Sequence, residues 1–487
     1  MRGALAYILL FMAVAAQSQT LKYSAEINAV AANGTYAPFW HVANRQGLGG
    51  VATKNGYMRV GVEGNYPFAK NWNVEYGVDA VGGINQTAPL FVQQAFADVS
   101  WRMLTLSVGQ RERWSNFKNA RLSTGGLTES GNARPIPQIR FSVDDYWDLF
   151  CTKGWFTVRG HIAYGRFTDG DWQQSFVPEG YAYNTRALYH SKALYFKAGN
   201  EKIFPLTAEF GLEMAAQFGG RVYNLWNQPG RNLNNPIRFK DYLMVLIPIK
   251  GDSQYEEADQ VNIAGNQLGS WHGAITWKES DWLLRAYYEH AFEDHSQMFW
   301  EYGLWVEQLV GVELSLKNFR WIKGVALEYF NLKDHSGPIY HDSTEKIPDQ
   351  ISCVDDNYNH NWYGGWFNYG ITIGTPLCTS PVYNGDKRLH CYNNRVEAFH
   401  FGIEGCPLGW LGYRLLLTKS NNWGTYSYPF TDIKKNVSGL VELTFSPQRL
   451  NGWSATVSFA FDRGTLYGNN YGGLLSISKR GVFNFGK

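Results

Sequence analysis

After its first residues, the chain has no apolar run long enough to form a membrane-spanning helix. The densest later run is YLMVLIPI at 242–249, far shorter than the ~20 residues that a helix needs to cross a bilayer. Positive charge is not in excess, since 44 basic residues face 42 acidic ones, which argues against a nucleic-acid partner. Linker-like Ser/Pro tracts are also absent, so the sequence predicts one continuous architecture.

The sequence also lacks the common catalytic signatures. It contains no G-x-S-x-G elbow, H-E-x-x-H pair, P-loop or G-x-G-x-x-G turn. Four histidines within strand-like patterns could in principle serve an outer-membrane hydrolase: His161, His190, His290 and His400. A strand histidine that faces a polar interior is more often a hydrogen-bonding residue than a base. We therefore predict no enzymatic activity and no cofactor.

The N-terminus is typical of a secretory signal peptide. Met1 and Arg2 are followed by the apolar run ALAYILLFMAVAA at 4–16 and by polar QSQT. A basic start, a short apolar core and small residues before a polar stretch are the features of such signals. We predict a signal peptide at 1–19 and an exported chain at 20–487, with a membrane-anchor helix as the alternative.

Several segments alternate apolar and polar residues, as half-buried strands do. This pattern occurs at 282–290, 310–317, 399–404 and 453–462. It fits a soluble sandwich or a transmembrane barrel. Aromatic residues make up 16% of the chain and stand at many strand ends, as membrane-interface girdles require. Short turns alternate with long polar loops, so we predict an all-β, transmembrane antiparallel barrel of roughly 16–22 strands.

One Gly- and Pro-rich segment, LSTGGLTESGNARPIPQIRFS at 122–142, breaks the strand pattern. Pro135 and Pro137 cannot donate to a sheet ladder, and the glycines weaken regular structure. The flanking stretches 111–122 and 143–150 have helix-like patterns. Because irregular backbone cannot face lipid, we predict that a plug region of about 111–150 lies inside the barrel or at its periplasmic mouth.

The same segment, through SGNARPIP at 130–137, resembles the signature of the Wzi family of capsule-assembly outer-membrane proteins. Further stretches resemble the Bacteroidetes-type branch of that family in chain order, at 36–47, 188–199, 209–220, 361–377 and 393–405. The resemblance implies an 18-stranded outer-membrane barrel with a small helical plug at its periplasmic side. It places Asn132, Arg134, Pro135 and Pro137 in that plug, where we expect acidic residues of the lumen to hold Arg134.

The resemblance also implies a function. It predicts a non-enzymatic, lectin-like protein that binds capsular or other surface polysaccharide and helps to anchor or assemble the capsule of a Gram-negative bacterium. We expect a monomer in the outer membrane, with its loops at the cell surface. The rival function is a porin or specific sugar channel, which needs an open polar bore that the plug region would block.

Aromatic residues beside Asn and Asp in long loops are the best candidates for sugar contacts, because rings offer flat faces and polar groups bind hydroxyls. The candidate carbohydrate-binding residues are Trp362, Tyr363, Trp366, Tyr369, Asp355, Asp356, Trp172 and Arg231. We interpret the loops 169–184 and 227–242 as external. The alternatives are an interface girdle for the aromatic residues and a solvated acidic surface for the aspartates, and no metal site is predicted.

The cysteine content is low but clustered. Four cysteines of this exported chain could form one or two loop disulfides: Cys353, Cys378, Cys391 and Cys406. No C-x-x-C spacing supports a zinc site. The spacing fixes no pairing, and we expect the remaining Cys151 to be buried.

Overall fold

The computed structural model describes residues 20–149, 151–255, 260, 263–293, 297–301, 303–335 and 356–484. Eighteen antiparallel strands form one closed sheet, in which the first strand pairs with the last. This confirms the predicted all-β barrel and its strand number. The predicted signal peptide, Asp355 and Cys353 lie outside the described residues. Within the described ranges, no helix is both long and apolar enough to cross a membrane.

The barrel strands in chain order are β1 Thr20–Asn33, β2 Lys54–Ala69, β3 Trp72–Ile84, β4 Leu90–Trp101, β5 Leu104–Gln110, β6 Gln138–Asp148, β7 Phe156–Arg166, β8 Leu188–Ala198, β9 Leu206–Phe218, β10 Asn266–Lys278, β11 Trp282–Glu293, β12 Gln308–Leu316, β13 Gly324–Asn331, β14 Arg395–Leu408, β15 Leu411–Gly424, β16 Pro429–Phe445, β17 Trp453–Gly464 and β18 Asn470–Asn484.

Among the described residues, the connections contain the helices α1 Phe39–Val42, α2 Gly170–Phe176 and α3 Phe239–Leu246. They also contain short strands at Tyr183–Thr185, Arg221–Tyr223, Leu233–Asn234, Asn359–His360, Gly364–Gly365, Phe367–Asn368 and Ile371–Thr372. Single 3-10 turns occupy Leu225–Asn227, Pro381–Tyr383 and Gln448–Leu450.

The alternating pattern places apolar side chains outside the barrel and polar side chains inside. On β17, Val457 and Phe459 are 48% and 51% exposed, whereas Ser458 between them is 3% exposed. On β12, Val312 likewise faces out and Glu313 faces in. An outer surface of exposed Val, Leu, Ile and Phe matches the apolar band of a transmembrane barrel. The four alternating segments are confirmed as strands.

The two ends of the barrel differ in the length of their connections. The short-turn end carries the first residues of β1, the last residues of β18 and brief connections such as 70–71, 102–103 and 409–410. The long-connection end carries 34–53, 111–137, 167–187, 219–265 and 332–394. These long connections provide both the filling of the barrel and the cleft at its mouth.

Connection 111–137, here called the lumen segment, runs through the inside of the barrel. Its backbone bonds side chains that face inward from different strands. The Leu122 carbonyl accepts from His400 Nε2 on β14 at 2.6 Å, and the Leu127 N–H donates to Glu289 Oε1 on β11 at 2.8 Å. The segment starts and ends at the long-connection end and reaches toward the short-turn end, where Arg121 pairs with Glu404.

The two predicted helices of the plug region are wrong. Residues 111–122 have no regular structure, and residues 143–148 belong to β6. Because β6 begins at Gln138, the irregular part of the plug region ends at 137. The Asn119 side chain accepts from the N–H groups of Arg121 and Leu122, which competes with helical pairing. The ladder with β7 holds 143–148 extended. The plug is therefore mostly irregular, with the single turn of α1 as its helical part.

The motif residue Asn132 ties the lumen segment to neighbouring connections. Its Nδ2 donates to the Thr372 carbonyl at 2.9 Å, and its Oδ1 accepts from the Asn44 N–H at 3.0 Å. Pro135 and Pro137 lie just before β6 begins at Gln138. Their missing N–H groups fit a stretch that does not join the ladder.

Arg134 is held by rings rather than by acids. Its guanidinium lies 3.6 Å from the ring centroid of Phe91 and 4.0 Å from that of Tyr369, and it donates to Thr87 Oγ1 at 2.7 Å. No carboxylate of the described residues forms an ion pair with it, so the expected direct pair with a lumen acid is not formed, although the Asp169 carboxylate attracts its charge. Burial lowers its pKa to about 10, and cation–π contacts stabilise the charge.

Candidate functional site

A cleft of about 580 Å³ opens at the long-connection end. We call it the loop cleft. Its side chains are aromatic or hydrogen-bonding: Tyr181, Tyr183, Asn184, Trp226, Asn227, Asp356, Asn359, His360, Asn361, Trp362, Tyr363, Arg388, His390, Tyr392 and Tyr428. Its volume lies in the range of small-molecule sites, ~300–1,000 Å³. Flat faces and hydrogen-bonding groups therefore meet in one concave surface.

One wall of the loop cleft is a cluster of three rings. The ring centroid of His390 lies 4.9 Å from that of Tyr392 and 5.4 Å from that of Tyr428, and the centroids of the two tyrosines lie 5.5 Å apart. Burial lowers the pKa of His390 and raises the pKa of Tyr392 to about 12, helped by Asp386. At neutral pH this wall therefore presents the neutral imidazole of His390 and the protonated phenol of Tyr392.

One ring nitrogen of His390 makes no hydrogen bond within the described part of the chain. This nitrogen, Nε2, is buried. A buried polar atom without a partner is costly unless something else binds it. Contacts within the described part of the chain therefore leave this nitrogen unsatisfied.

The lining also includes Trp226, whose side chain is 53% exposed. Trp226 has φ 57°, a left-handed conformation that is uncommon for a large residue. The Arg231 guanidinium lies 3.9 Å from its ring centroid. Beside it, Tyr183 stacks on Tyr223 with centroids 4.8 Å apart and planes 7° apart. This part of the lining provides exposed ring faces next to a cation.

The floor of the cleft is held by hydrogen bonds between connections. Asp356 Oδ1 accepts from Asn359 Nδ2 at 3.0 Å and from Asn394 Nδ2 at 2.7 Å. The Tyr363 carbonyl accepts from Asn184 Nδ2 at 2.9 Å. These bonds fix the floor before any ligand arrives, which lowers the entropy cost of binding.

The structure brings several of the predicted site residues together. Asp356, Trp362 and Tyr363 line the loop cleft. Arg231 lies beside the cleft, because its guanidinium packs over the ring of Trp226, which lines the cleft. Trp366 does not belong to the site, since it is fully buried in the interior and its Nε1 donates to the Thr128 carbonyl at 2.8 Å.

Tyr369 and Trp172 lie apart from the cleft. The Tyr369 ring packs on Arg134, and its hydroxyl donates to the Thr168 carbonyl at 3.0 Å. Trp172 stacks on Phe176 within α2, with centroids 4.7 Å apart. Both residues hold connections in place, because each is occupied by partners within the protein.

Sequence reasoning missed several lining residues of the cleft, among them Trp226, Arg388, His390, Tyr392 and Tyr428. The run RLHCY at 388–392 does combine a cation, an imidazole and a phenol. Its sequence distance from Trp226 and Tyr428 hid the site, because only the barrel brings the three connections to one mouth.

The cysteines of the described residues are free thiols. Cys378 and Cys391 are buried next to each other, and burial raises the pKa of Cys378, helped by the contact with Cys391. The loop disulfides among Cys353, Cys378, Cys391 and Cys406 stay a prediction, with no pairing assigned. Cys406 lies near the other end of β14 from Cys391, so those two do not pair. Cys151 is exposed, which contradicts the expected burial.

The four histidines considered for catalysis have structural partners. His161 Nε2 contacts Ser191 Oγ at 2.7 Å, and His400 Nδ1 contacts Thr418 Oγ1 at 2.8 Å. His190 and His290 bond backbone carbonyls. In the described ranges none of the four bonds a carboxylate, so the Ser–His–acid relay of a hydrolase is not formed there. Nor do those ranges contain a cluster of metal-ligating side chains.

The short-turn end contains polar cavities of about 680, 420 and 380 Å³. Trp114 of the lumen segment lines all three. Ion pairs cross them, including Arg59 with Glu112 at 3.1 Å and Arg111 with Glu75 at 3.0 Å. The interior at this end therefore contains cavities lined by charged side chains.

No protein-family model and no curated protein matches this chain. Among solved structures it is similar to Wzi, an outer-membrane protein involved in group 1 capsule assembly in Escherichia coli and a carbohydrate-binding β-barrel, with TM-score 0.55, 12% identity, and coverage of 98% of this chain and 87% of Wzi. It is also similar to OccAB2 of Acinetobacter baumannii, with TM-score 0.50, 10% identity, and coverage of 95% and 98%. These likenesses show the fold, which is that of an outer-membrane β-barrel.

Proposed function

We propose that this protein spans the outer membrane of a Gram-negative bacterium and binds a capsular or other surface polysaccharide in the loop cleft. Long connections of such barrels face the outside and short turns face the periplasm. This orientation would place the cleft at the cell surface, where a monomer could hold the polymer and help to anchor or assemble a capsule.

The loop cleft is the single observation that carries the ligand class. Trp226 and Tyr428 offer exposed ring faces, which suit the apolar faces of sugar rings. The asparagine side chains that line the cleft suit sugar hydroxyls. Arg231 and Arg388 stand over Trp226 and Tyr181 as cations at the rim, which favours a polymer with acidic groups.

Binding of labelled capsular polysaccharide from the native host to the purified protein in detergent tests this proposal. We expect saturable binding that Trp226→Ala or Tyr428→Ala weakens by about tenfold each, because a lost stacking contact costs about 1–1.5 kcal/mol. Trp305→Ala is the matched control, since Trp305 is 71% exposed but does not line the cleft. Equal effects of all three variants, or no saturable binding, would refute the assignment.

A porin or sugar channel is the second candidate, favoured by the polar cavities at the short-turn end. The lumen segment opposes it, because buried carboxylates of the wall bind its backbone. Conductance across planar bilayers distinguishes the two functions. We expect no stable ion-sized steps, and regular steps would favour the channel.

A further inference from the structure

Helix α3 lies on the outside of the barrel wall, where lipid would otherwise sit. Tyr164 on β7 and Lys192 on β8 face outward, as their exposed neighbours Ile162 and Leu194 do. Tyr164 OH donates to the Tyr242 carbonyl at 2.8 Å. Lys192 Nζ donates to the carbonyls of Val245 and Leu246 at 2.7 and 2.8 Å. We call residues 236–250, which contain α3, the outer loop.

The outer loop covers only part of the wall. On β9, the outward residues Leu206 and Phe210 are 38% and 50% exposed, whereas Met214, Ala216 and Phe218 are at most 2% exposed. The uncovered stretch is thus 206–212, which is shorter than the ~9–11 residues that a tilted strand needs to cross the hydrocarbon core.

On the far side of the barrel, no described residue covers the wall in this way. On β18, the outward side chains of Tyr471, Leu475, Ile477 and Phe483 are exposed, with Lys479 between the last two. The exposed surface of β18 therefore reaches Tyr471 at the long-connection end of the strand, whereas the long-connection end of β9 is covered. A bilayer that contacts β18 up to Tyr471 must therefore contact the outer loop at β9, beyond residue 212.

The exposed face of α3 is apolar, as a surface that contacts lipid must be. Phe239, Leu243 and Ile247 follow one another at helical spacing and are 80%, 45% and 63% exposed. The opposite face buries Val245 against Ala216 and Phe218 of β9, and Met244 packs against Tyr255 and Ala264 of the same connection. Side chains four residues apart lie on one face of a helix, so these three form a continuous apolar stripe that no described residue covers.

The adjacent connection repeats the arrangement over β10 and β11. Trp271 Nε1 donates to the Met298 carbonyl at 2.8 Å, and Tyr288 OH donates to the Leu304 carbonyl at 2.7 Å. Both donors face outward, and exposed Phe299 and Leu304 stand outside them. The covered sector therefore presents apolar side chains over several neighbouring strands.

We propose that the outer loop inserts into the outer leaflet and contacts lipid acyl chains through Phe239, Leu243 and Ile247. It takes the place of the barrel wall as the lipid-facing surface over β8 and β9. The continuity of this stripe with the exposed apolar band below it favours hydrocarbon over a protein partner. This inference rests on the membrane placement proposed above and is independent of the polysaccharide ligand.

Photo-crosslinking tests the proposal. A benzophenone amino acid is introduced at Leu243 in the full chain, which is reconstituted in phospholipid nanodiscs with radiolabelled acyl chains. Ile275, exposed on the wall at β10, is the positive control, and Asp386, on the rim of the cleft, is the negative control. We expect labelling at 243 within about twofold of 275 and about tenfold or more above 386, as for a side chain buried in the acyl region.

The outcomes separate the two proposals. Labelling at 243 as low as at 386, or an adduct with protein instead of lipid, would overturn the insertion of the outer loop. A failure of Ile275 as well would instead refute the membrane placement. Ile247 is a second test position if the Leu243 variant does not fold, as judged by heat-modifiable migration in a gel.

Discussion

The lumen segment and the outer loop are irregular connections of the same barrel, and they solve opposite problems. The lumen segment is surrounded by inward-facing polar residues. Its Thr124 N–H and hydroxyl both donate to Glu328, and its Lys118 pairs with Glu289. The outer loop rests on apolar wall residues and turns an apolar stripe outward. The side of the wall on which a connection lies therefore dictates how its backbone and side chains are satisfied.

The comparison also separates two kinds of stability. Buried carboxylates that accept several donors make the lumen segment part of the barrel, since breaking them leaves uncompensated polar groups inside. The outer loop is attached by a few hydrogen bonds and by burial of Val245. We expect it to detach locally while the barrel remains folded.

The largest effect is expected at Glu328, which holds the lumen segment to β13. Its oxygens accept from Ser123 Oγ at 2.6 Å, from the Thr124 N–H at 2.8 Å and from Tyr287 OH at 2.6 Å. Glu328→Ala should lower the free energy of unfolding by about 3–5 kcal/mol, because buried donors lose their acceptor. Denaturant unfolding in detergent micelles measures it.

Glu404→Ala is the control for that variant. Glu404 binds Arg121, whose side chain is 53% exposed, and the loss of such a surface pair should cost at most about 0.5 kcal/mol. Similar losses for both glutamates would mean that burial of the lumen segment does not govern stability.

A smaller, pH-dependent effect on the free energy of unfolding is expected at Asp169, which lies just before α2 in connection 167–187. Burial raises the pKa of Asp169 to about 6 from 3.8, although Gln173 and the Tyr369 N–H donate to it. The folded state therefore binds more protons than the unfolded state between these values. Stability should fall by about 2–3 kcal/mol as pH rises from about 4 to 6.

Asp169→Asn removes that titration and keeps the shape of the side chain. Unfolding free energies measured at several pH values should become flatter between about pH 4 and 6, with a gain at pH 7 of about 2–3 kcal/mol. An unchanged pH profile in the variant would assign the titration to another group.

The smallest effect on the barrel is expected at Lys192 under the outer loop. Lys192→Met removes the donors to the last carbonyls of α3, which should cost about 1 kcal/mol. We expect faster proteolysis within 236–250 and little change in barrel unfolding. Lys278→Met, at an exposed pair with Glu201, should leave proteolysis of the outer loop unchanged. Global destabilisation by Lys192→Met would contradict local attachment.

Part of the fold was readable from the sequence because strand periodicity reports which side of a wall each residue faces. Val312 and Glu313, or Phe459 and Ser458, gave the two faces of their strands directly. Helix propensity misled at 111–122 and 143–148, because the Asn119 side chain and the β7 ladder provide competing partners. Pro135 and Pro137 indicated a segment that leaves the sheet, whereas the end of the barrel from which it enters and the side chains that anchor it were not predicted.

The candidate site was predictable only where aromatic residues stand near Asp356. Trp362 and Tyr363 line the cleft, but Trp366, from the same short run, is buried inside. A run of rings in a loop does not tell which rings face out. Trp226 and Tyr428 belong to other connections, so their contribution depends on barrel closure.

The sequence by itself determined the class of the fold, because alternation of apolar and polar residues is a local property of each strand. It also determined which segment could not be a strand, because proline removes the donor that a ladder needs. Only the tertiary structure decided which side of the wall each connection takes and which distant rings share one mouth. Those outcomes depend on contacts between residues hundreds of positions apart, such as Ser123 with Glu328 or Leu122 with His400, which no local pattern encodes.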